Sequence, residues 1–335
     1  MNILLIQLKR IGDLVLTTPA ISALRTTFPE AEITLVASST CRELLPAIPN
    51  LDDKLVVNRL DTWIEVARCS FDYCVDFTRN DRSSWLTRLS RANTRVAIER
   101  RKQRATFRSR AYNTFVSAPL GQLHTADHVL KLLAPLGVAG EPPQVTLEIP
   151  VVAHARADEL RSKCRVRQDF IIFHPGSARA EKFWEPDRWA EVIEHARKAH
   201  AGSLVLTGGD SELEQEHIGQ IKRCLLQPIV DLSGQTGLLT LAALVSKARM
   251  LVTVDSAPMH FAAAAQTPQI DLFGPTNPFH WRPRGSNALI LRGESKTPLR
   301  EFSPNQPAVP MKQISTRAVI DAMDALLSSP IAKGS

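Results

Sequence analysis

The chain has 335 residues, 44% of them hydrophobic and 22% charged, with a formal charge of +7. That length exceeds what one core usually encloses, so two domains are expected, and the composition excludes a disordered or fibrous protein. Five cysteines (Cys41, Cys69, Cys74, Cys164, Cys224) without a CxxC pair exclude a disulfide scaffold and read as reduced thiols of a cytosolic protein. The opening residues read as a strand rather than a targeting signal, because Lys9, Arg10 and Asp13 interrupt them. No apolar run approaches the ~18 residues of a membrane span, so the protein is expected to be soluble or bound at a membrane surface.

In chain order, NILLIQL is the first predicted strand, and residues 14–28 read as a helix with Thr18-Pro19 in its opening turns. AEITLVAS, KLVV, FDYCVDF and TRVAIE follow as strands, with helices over 61–69 and 126–136. APLGVAGEPPQ (134–144) is rich in Gly and Pro and marks a boundary, which gives a first domain over 1–143. The second half repeats the alternation. DFIIFHPG, SLVLTGG, PIVDLS, RMLVTVD and PQIDLFGP are strands, and helices fall near 185–200, 211–226, 238–248 and 257–265. Several of these strands are apolar on both faces, as in a parallel sheet covered by helices. A second domain over 144–312 is expected. In the remaining segment, 313–335, a helix over 314–328 carries Val319, Ile320, Met323, Leu326 and Leu327 at helical spacing. The fold class is α/β: two doubly wound, Rossmann-like parallel-sheet domains.

The positive charge is unevenly placed. Arg79 to Arg110 holds eleven Lys/Arg against Asp81 and Glu99, a local +9 that leaves the rest of the chain at −2. Such a patch suits an anionic partner, whether nucleic acid, acidic lipid or phosphorylated glycan; a solvated helix face is the plainer reading.

Ligands of doubly wound sheets sit at the carboxyl ends of strands. Neither GxGxxG after the first strand nor GxxxxGK[ST] anywhere is present, which disfavours nicotinamide and P-loop chemistry. What the strand ends offer is polar. Asp13 stands at the first strand–helix turn beside Lys9 and Arg10, where it can cap its helix or act chemically. PGSARAEKFW brings Ser177, Arg179 and Lys182. LTGGDSELE adds two glycines and the acids Asp210, Glu212 and Glu214, able to accept from ribose hydroxyls. Asp255 closes RMLVTVD, with Ser256 as a natural N-cap, Pro258 in the first turn and His260 behind it. Free N–H groups at that helix start attract phosphate, and Lys182 can neutralise it. His260 reads either as a packed histidine or as a site residue. Together these residues point to a second domain that grips a nucleotide diphosphate.

The ordered set GDLVLTTPA, FHPGSARAEKFW, LTGGDSE, DLSGQTGLLTLAALV, VTVDSAPMHFAAA and LFGPTNPFHWRP resembles the ADP-heptose:lipopolysaccharide heptosyltransferase family, from residue 1 to roughly 328. The resemblance implies inverting glycosyltransferase chemistry on a GT-B architecture, with two Rossmann-like domains facing across a cleft and the closing helix packing back toward the N-terminal domain. It implies Asp13 as the general base and Lys182 as the cation that binds and stabilises the departing diphosphate. Ser177 matches a phosphate contact, Glu212 the acid near the ribose (with Asp210 and Glu214 close by), and Thr236 the adenine pocket. Asp255, Ser256, Ala257 and His260 match the donor-binding turn. Asp255-Ser256-Ala257-Pro258 departs from the DSGP or DTG of many members and resembles those that add the third, branching heptose.

The resemblance further implies a donor, ADP-L-glycero-D-manno-heptose, and a phosphorylated, Kdo- and heptose-bearing lipid A core as acceptor. Lys9, Arg10, Arg79 and Arg101 are the expected acceptor contacts, which gives the basic stretch a purpose. Peripheral contact with the anionic cytoplasmic face of the inner membrane is expected, and nucleic acid is not. Asp13 at a helix N-terminus is expected to stay ionised at neutral pH. No acidic DxD-type pair stands out as a metal site, so cationic groups and a helix dipole are expected to act instead, without a cofactor. Rival readings keep the fold with a UDP- or GDP-sugar donor, or without activity, or make the basic stretch a nucleic-acid surface. The last is weakened by few interleaved aromatics: Trp85, Phe107 and Tyr112.

Overall fold

The computed structural model describes residues 1–57, 60–99, 107–284 and 287–328. Two compact units divide the chain, Met1–Glu148 and Ile149–Ser335. The first holds strands β1 (Asn2–Gln7), β2 (Glu32–Ala37), β3 (Asp53–Val56), β4 (Tyr73–Asp76), β5 (Thr94–Ile98) and β6 (Thr114–Val116). The second holds β7 (Phe170–His174), β8 (Ser203–Leu206), β9 (Val230–Asp231), β10 (Met250–Val254), β11 (Gln269–Phe273) and β12 (Ala288–Arg292).

Each unit is a six-stranded parallel sheet, ordered β3-β2-β1-β4-β5-β6 and β12-β11-β10-β7-β8-β9. The two orders are one topology read from opposite edges, and the order reverses between β1 and β4 in one sheet and between β7 and β10 in the other. Those two reversals are where a doubly wound sheet opens a crevice at its carboxyl edge. β7, β10 and β11 are buried along their whole length, as expected of strands covered on both faces. β6 and β12 were not among the predicted strands. Both are sheet-edge strands with partly exposed residues, where the apolar signal is diluted.

The helix expected over 14–28 is two helices, Ile11–Val15 and Thr18–Thr27. Pro19 has no N–H to offer the Val15 carbonyl; the Thr18 hydroxyl donates to it instead at 2.8 Å, and the ladder breaks there. The domain boundary lies at 148/149 rather than 143/144. Thr146 N–H donates to Thr18 Oγ1 (3.0 Å) and Glu148 N–H to the Ala47 carbonyl (2.9 Å), which ties the Pro-rich segment to the first unit.

The closing helix is Thr316–Ser328, and its apolar stripe (Ala318, Val319, Ala322, Met323) is buried in the second unit's core with Trp184 and Trp189. The two indoles meet edge to face at 5.4 Å, and Trp184 Nε1 donates to the Ile314 carbonyl at 3.1 Å, locking the chain just before the helix.

Candidate active site

At the β1/β4 reversal, β1 runs into Leu8-Lys9-Arg10 and then the Ile11–Val15 helix. Arg10 occupies the cap position in extended conformation, and Asp13 is the third helical residue, its carboxylate accepting from Arg10 N–H at 3.3 Å. Asp13 is half-buried. Burial raises its pKa from the ordinary carboxylate value, against the opposing pull of the Lys9 charge, the Arg10 N–H and the Arg10 charge. Desolvation thus outweighs the helix end that was expected to favour the anion, and the carboxylate is a stronger base for it. Lys9 is half-buried and Arg10 exposed beside it.

Among the described residues, the basic stretch does not form one surface. Arg79 is only 6% exposed: its guanidinium lies over the rings of Tyr112 (5.8 Å) and Phe115 (5.5 Å) and donates to the Ile98 carbonyl. Arg79, expected among the acceptor contacts, is thus packed inside the first unit. Arg95 bonds the Ala111 and Ala92 carbonyls, and Arg108 pairs with Asp81. Arg82, Arg88 and Arg91 remain exposed around Trp85, itself 54% exposed. Arg101, with Arg100, Lys102 and Arg104, lies outside the described residues. Asp76, at the end of β4, escaped the sequence reading although it sits in FDYCVDF. Fully buried, it accepts from Thr78 N–H, Arg79 N–H and, at 2.5 Å, the Tyr112 hydroxyl, and burial raises its pKa.

At the β7/β10 reversal the second set assembles. The anchored Trp184 and the stacking of Phe183 on His217 (4.2 Å) hold the Ser177–Phe183 loop against the sheet. Lys182 Nζ donates to the Asp255 carboxylate at 2.6 Å and to the Asp255 carbonyl at 3.0 Å, with side chains 12% and 9% exposed. Ser177, buried, opens the same loop. Ser256 occupies the cap position of the Ala257–Ala265 helix, yet its hydroxyl shares a hydrogen bond with Thr253 Oγ1 (3.2 Å) and makes none to the helix. The expected side-chain cap is thus absent: Pro258 has no N–H, the Met259 N–H donates to the Ser256 carbonyl at 3.3 Å, and the Ala257 N–H receives no cap from Ser256.

Behind this turn lie buried groups. His260 Nδ1 has no hydrogen-bond partner among the described residues, and burial pushes its pKa down to about 4, so the ring is neutral at pH 7. Both carboxyl oxygens of Asp271, on β11 beside Asp255, also lack a partner there; burial, then the Asp255 charge, hold it well above the usual range. Its apolar-looking strand gave no sign of this.

The acids after β8 separate clearly. Glu212 is exposed at the first helical position. Glu214 turns inward and accepts from Gly209 N–H at 2.7 Å, so close over Gly176 that a Cβ there would lie 2.2 Å from its oxygen. Thr236 follows β9, its hydroxyl buried and unpartnered among the described residues. Lys182, Asp255 and Ser256 are therefore brought together, while Glu212 and Thr236 stand at the ends of the next two strands. Among the described residues no three His, Cys, Asp or Glu side chains group to hold a metal ion, and no helix is long and apolar enough to cross a membrane.

Comparison with known proteins agrees with this fold. The family model for glycosyltransferase family 9 (heptosyltransferase) matches residues 59–309, more than half of the chain. A relative, lipopolysaccharide heptosyltransferase 3 of Escherichia coli, is 27% identical over 333 residues, covering 95% of this chain and 97% of its own. The crystal structure of the glycosyl transferase family 9 protein from Veillonella parvula superimposes with a TM-score of 0.84 at 25% identity, over 97% of both chains. That of E. coli ADP-heptose LPS heptosyltransferase II gives 0.79 at 19% identity, over 98% of both, and shares the two-domain α/β fold. The chain belongs to glycosyltransferase family 9, the heptosyltransferases.

Proposed function

We propose that this protein is an inverting glycosyltransferase that moves heptose from ADP-L-glycero-D-manno-heptose to the inner core of lipopolysaccharide. The observation that carries the reading is the Lys182–Asp255 pair beside the uncapped start of the Ala257–Ala265 helix, at a sheet reversal of a family 9 chain. A cation beside a helix start, in a nearly dry setting, stabilises the negative charge that grows on a leaving diphosphate. Ser177 and Ala257 supply further phosphate contacts, neutral His260 fills the floor, and Thr236 with Glu214 or Glu212 holds the nucleoside.

Inversion needs a base on the acceptor side, opposite the leaving group, by the geometry that lets a carboxylate activate water in inverting glycosidases. Asp13 takes that role. It receives the proton of the acceptor hydroxyl as the hydroxyl oxygen bonds to the anomeric carbon and the bond to the diphosphate breaks. Its raised pKa supports base strength, and the Lys9 charge keeps the ionised form accessible. The reading requires the first unit's Asp13 and the second unit's Lys182 to face one shared cleft.

The acceptor is the phosphorylated, Kdo- and heptose-bearing lipid A core, met by Lys9 and Arg10 and by exposed arginines of the basic stretch. Work on such a lipid places the enzyme peripherally on the cytoplasmic face of the inner membrane; exposed Trp85 between Arg82 and Arg88 supports that contact. Likeness to a relative named heptosyltransferase 3, with the Asp255-Ser256-Ala257-Pro258 spelling, supports addition of the branching heptose.

Incubation with ADP-heptose and a graded series of truncated core acceptors, read by mass spectrometry, tests this. One added heptose on a single acceptor is the expected product. Stabilisation by UDP or GDP but not ADP, with no heptosylated product, overturns it.

A further inference from the structure

We propose that the Thr17 hydroxyl and the Gln7 amide are positioning groups that together fix the turn carrying Asp13. The inference rests on Asp13 being the base. It gives a task to the threonine of GDLVLTTPA that neither donor nor acceptor binding uses.

Gln7 is the last residue of β1 and is fully buried, as is Thr17. Gln7 Nε2 donates to Thr17 Oγ1 at 2.9 Å, and Thr17 Oγ1 donates to the Asp13 carbonyl at 2.7 Å. Gln7 Oε1 accepts from Lys9 N–H at 3.4 Å. A hydroxyl has one proton to give, and here it goes to Asp13 while a lone pair receives Gln7. Two hydrogen bonds therefore close a ring around the turn, from the strand end before it to Thr17, two residues past the helix. Burying an amide at the end of an otherwise apolar strand costs desolvation that a leucine would avoid. The residue is placed where both ends of that amide are used.

The turn needs outside fixing. A five-residue helix is far below the length that holds itself in water. Neighbouring strand ends give the same turn two more anchors: Leu8 N–H donates to Thr78 Oγ1 at 2.7 Å, and Ser38 Oγ donates to the Lys9 carbonyl at 3.0 Å. Those two hold the loop before the helix. The Gln7–Thr17 ring reaches the Asp13 carbonyl from the far side of the helix, while the Arg10 N–H holds its carboxylate.

Thr17→Val keeps the shape and removes the hydroxyl. Its turnover with ADP-heptose and a truncated core should fall about 10- to 100-fold, the scale of a misplacement near one ångström, with KM for ADP-heptose within about twofold. Thr17→Ser should recover most of that loss. Gln7→Met should match Thr17→Val, serving also if the latter does not fold, and the double variant should be no worse than either single one, because both break one ring. Turnover of Thr17→Val within about twofold of the parent, a Thr17→Ser as poor as Thr17→Val, or losses that multiply in the double variant would each overturn the proposal. A second readout does not need transfer: NMR titration of the Asp13 carboxyl carbon should shift upward in Thr17→Val as its bond from Arg10 N–H loosens, and an unchanged titration overturns the inference. A parent that transfers no heptose refutes the proposed function, while the titration still decides the ring.

Discussion

The two units share one strand order and put opposite chemistry at the same topological place. At the β1/β4 reversal the groups are a half-buried carboxylate and a turn held by neutral hydrogen bonds; at β7/β10 they are an ion pair and an uncapped helix start. The scaffold chooses where a site goes, and a few loop residues choose its sign. Buried histidines whose pKa is lowered divide unevenly too. His174, His217 and His260 of the second unit and His128 of the first are each pushed down to about 4, mainly by burial.

The strongest break of that contrast is at the carboxylate. Asp13→Asn should lower turnover by about 10²–10⁴-fold with ADP still raising the melting temperature as in the parent. Near-full turnover in steady-state assays removes Asp13 from the chemistry. Next comes the ion pair. Lys182→Ala leaves the Asp255 carboxylate buried without its partner, a cost of about 3–5 kcal/mol in urea unfolding, and should abolish the thermal shift produced by ADP. Packing of the closing helix ranks third: Met323→Ala should cost about 2–5 kcal/mol, because Met323 lies in the second unit's core.

A pH prediction sharpens the histidine imbalance. His217 binds its proton more weakly folded (about 4) than unfolded (about 6.5), so stability is full above the unfolded value and is lost as pH falls toward 4. His217→Phe should therefore recover about 2 kcal/mol of the stability lost between pH 7 and pH 5, seen in urea midpoints. The smallest effect separates neighbouring acids. Glu214→Ala should raise KM for the ADP-sugar severalfold, whereas exposed Glu212→Ala should change it less than twofold.

Much of this was legible in the residues. Alternating strand and helix signals gave both sheets, and the polar strand ends gave Asp13, Lys182 and Asp255. Pro19 already carried the break in the first helix. What escaped depended on partners far away in sequence. A charge count sees Arg79 but not the rings of Tyr112 and Phe115 that take it out of solvent. An amphipathic stripe says that Thr316–Ser328 packs, not on which unit. Which acid of DSELE turns inward follows from the helix starting after Ser211, whose hydroxyl accepts from Glu214 N–H, a boundary that composition leaves open.

The Lys182–Asp255 contact has a consequence for selectivity. If Lys182 grips the donor as proposed, an arriving anion has to win its ammonium from the Asp255 carboxylate that holds it at 2.6 Å. Free orthophosphate brings one modestly charged group to the contest. A nucleoside-linked pyrophosphate brings two, along with a base and ribose that add attraction elsewhere, so in the proposed site self-pairing would act as a filter against small inorganic ions.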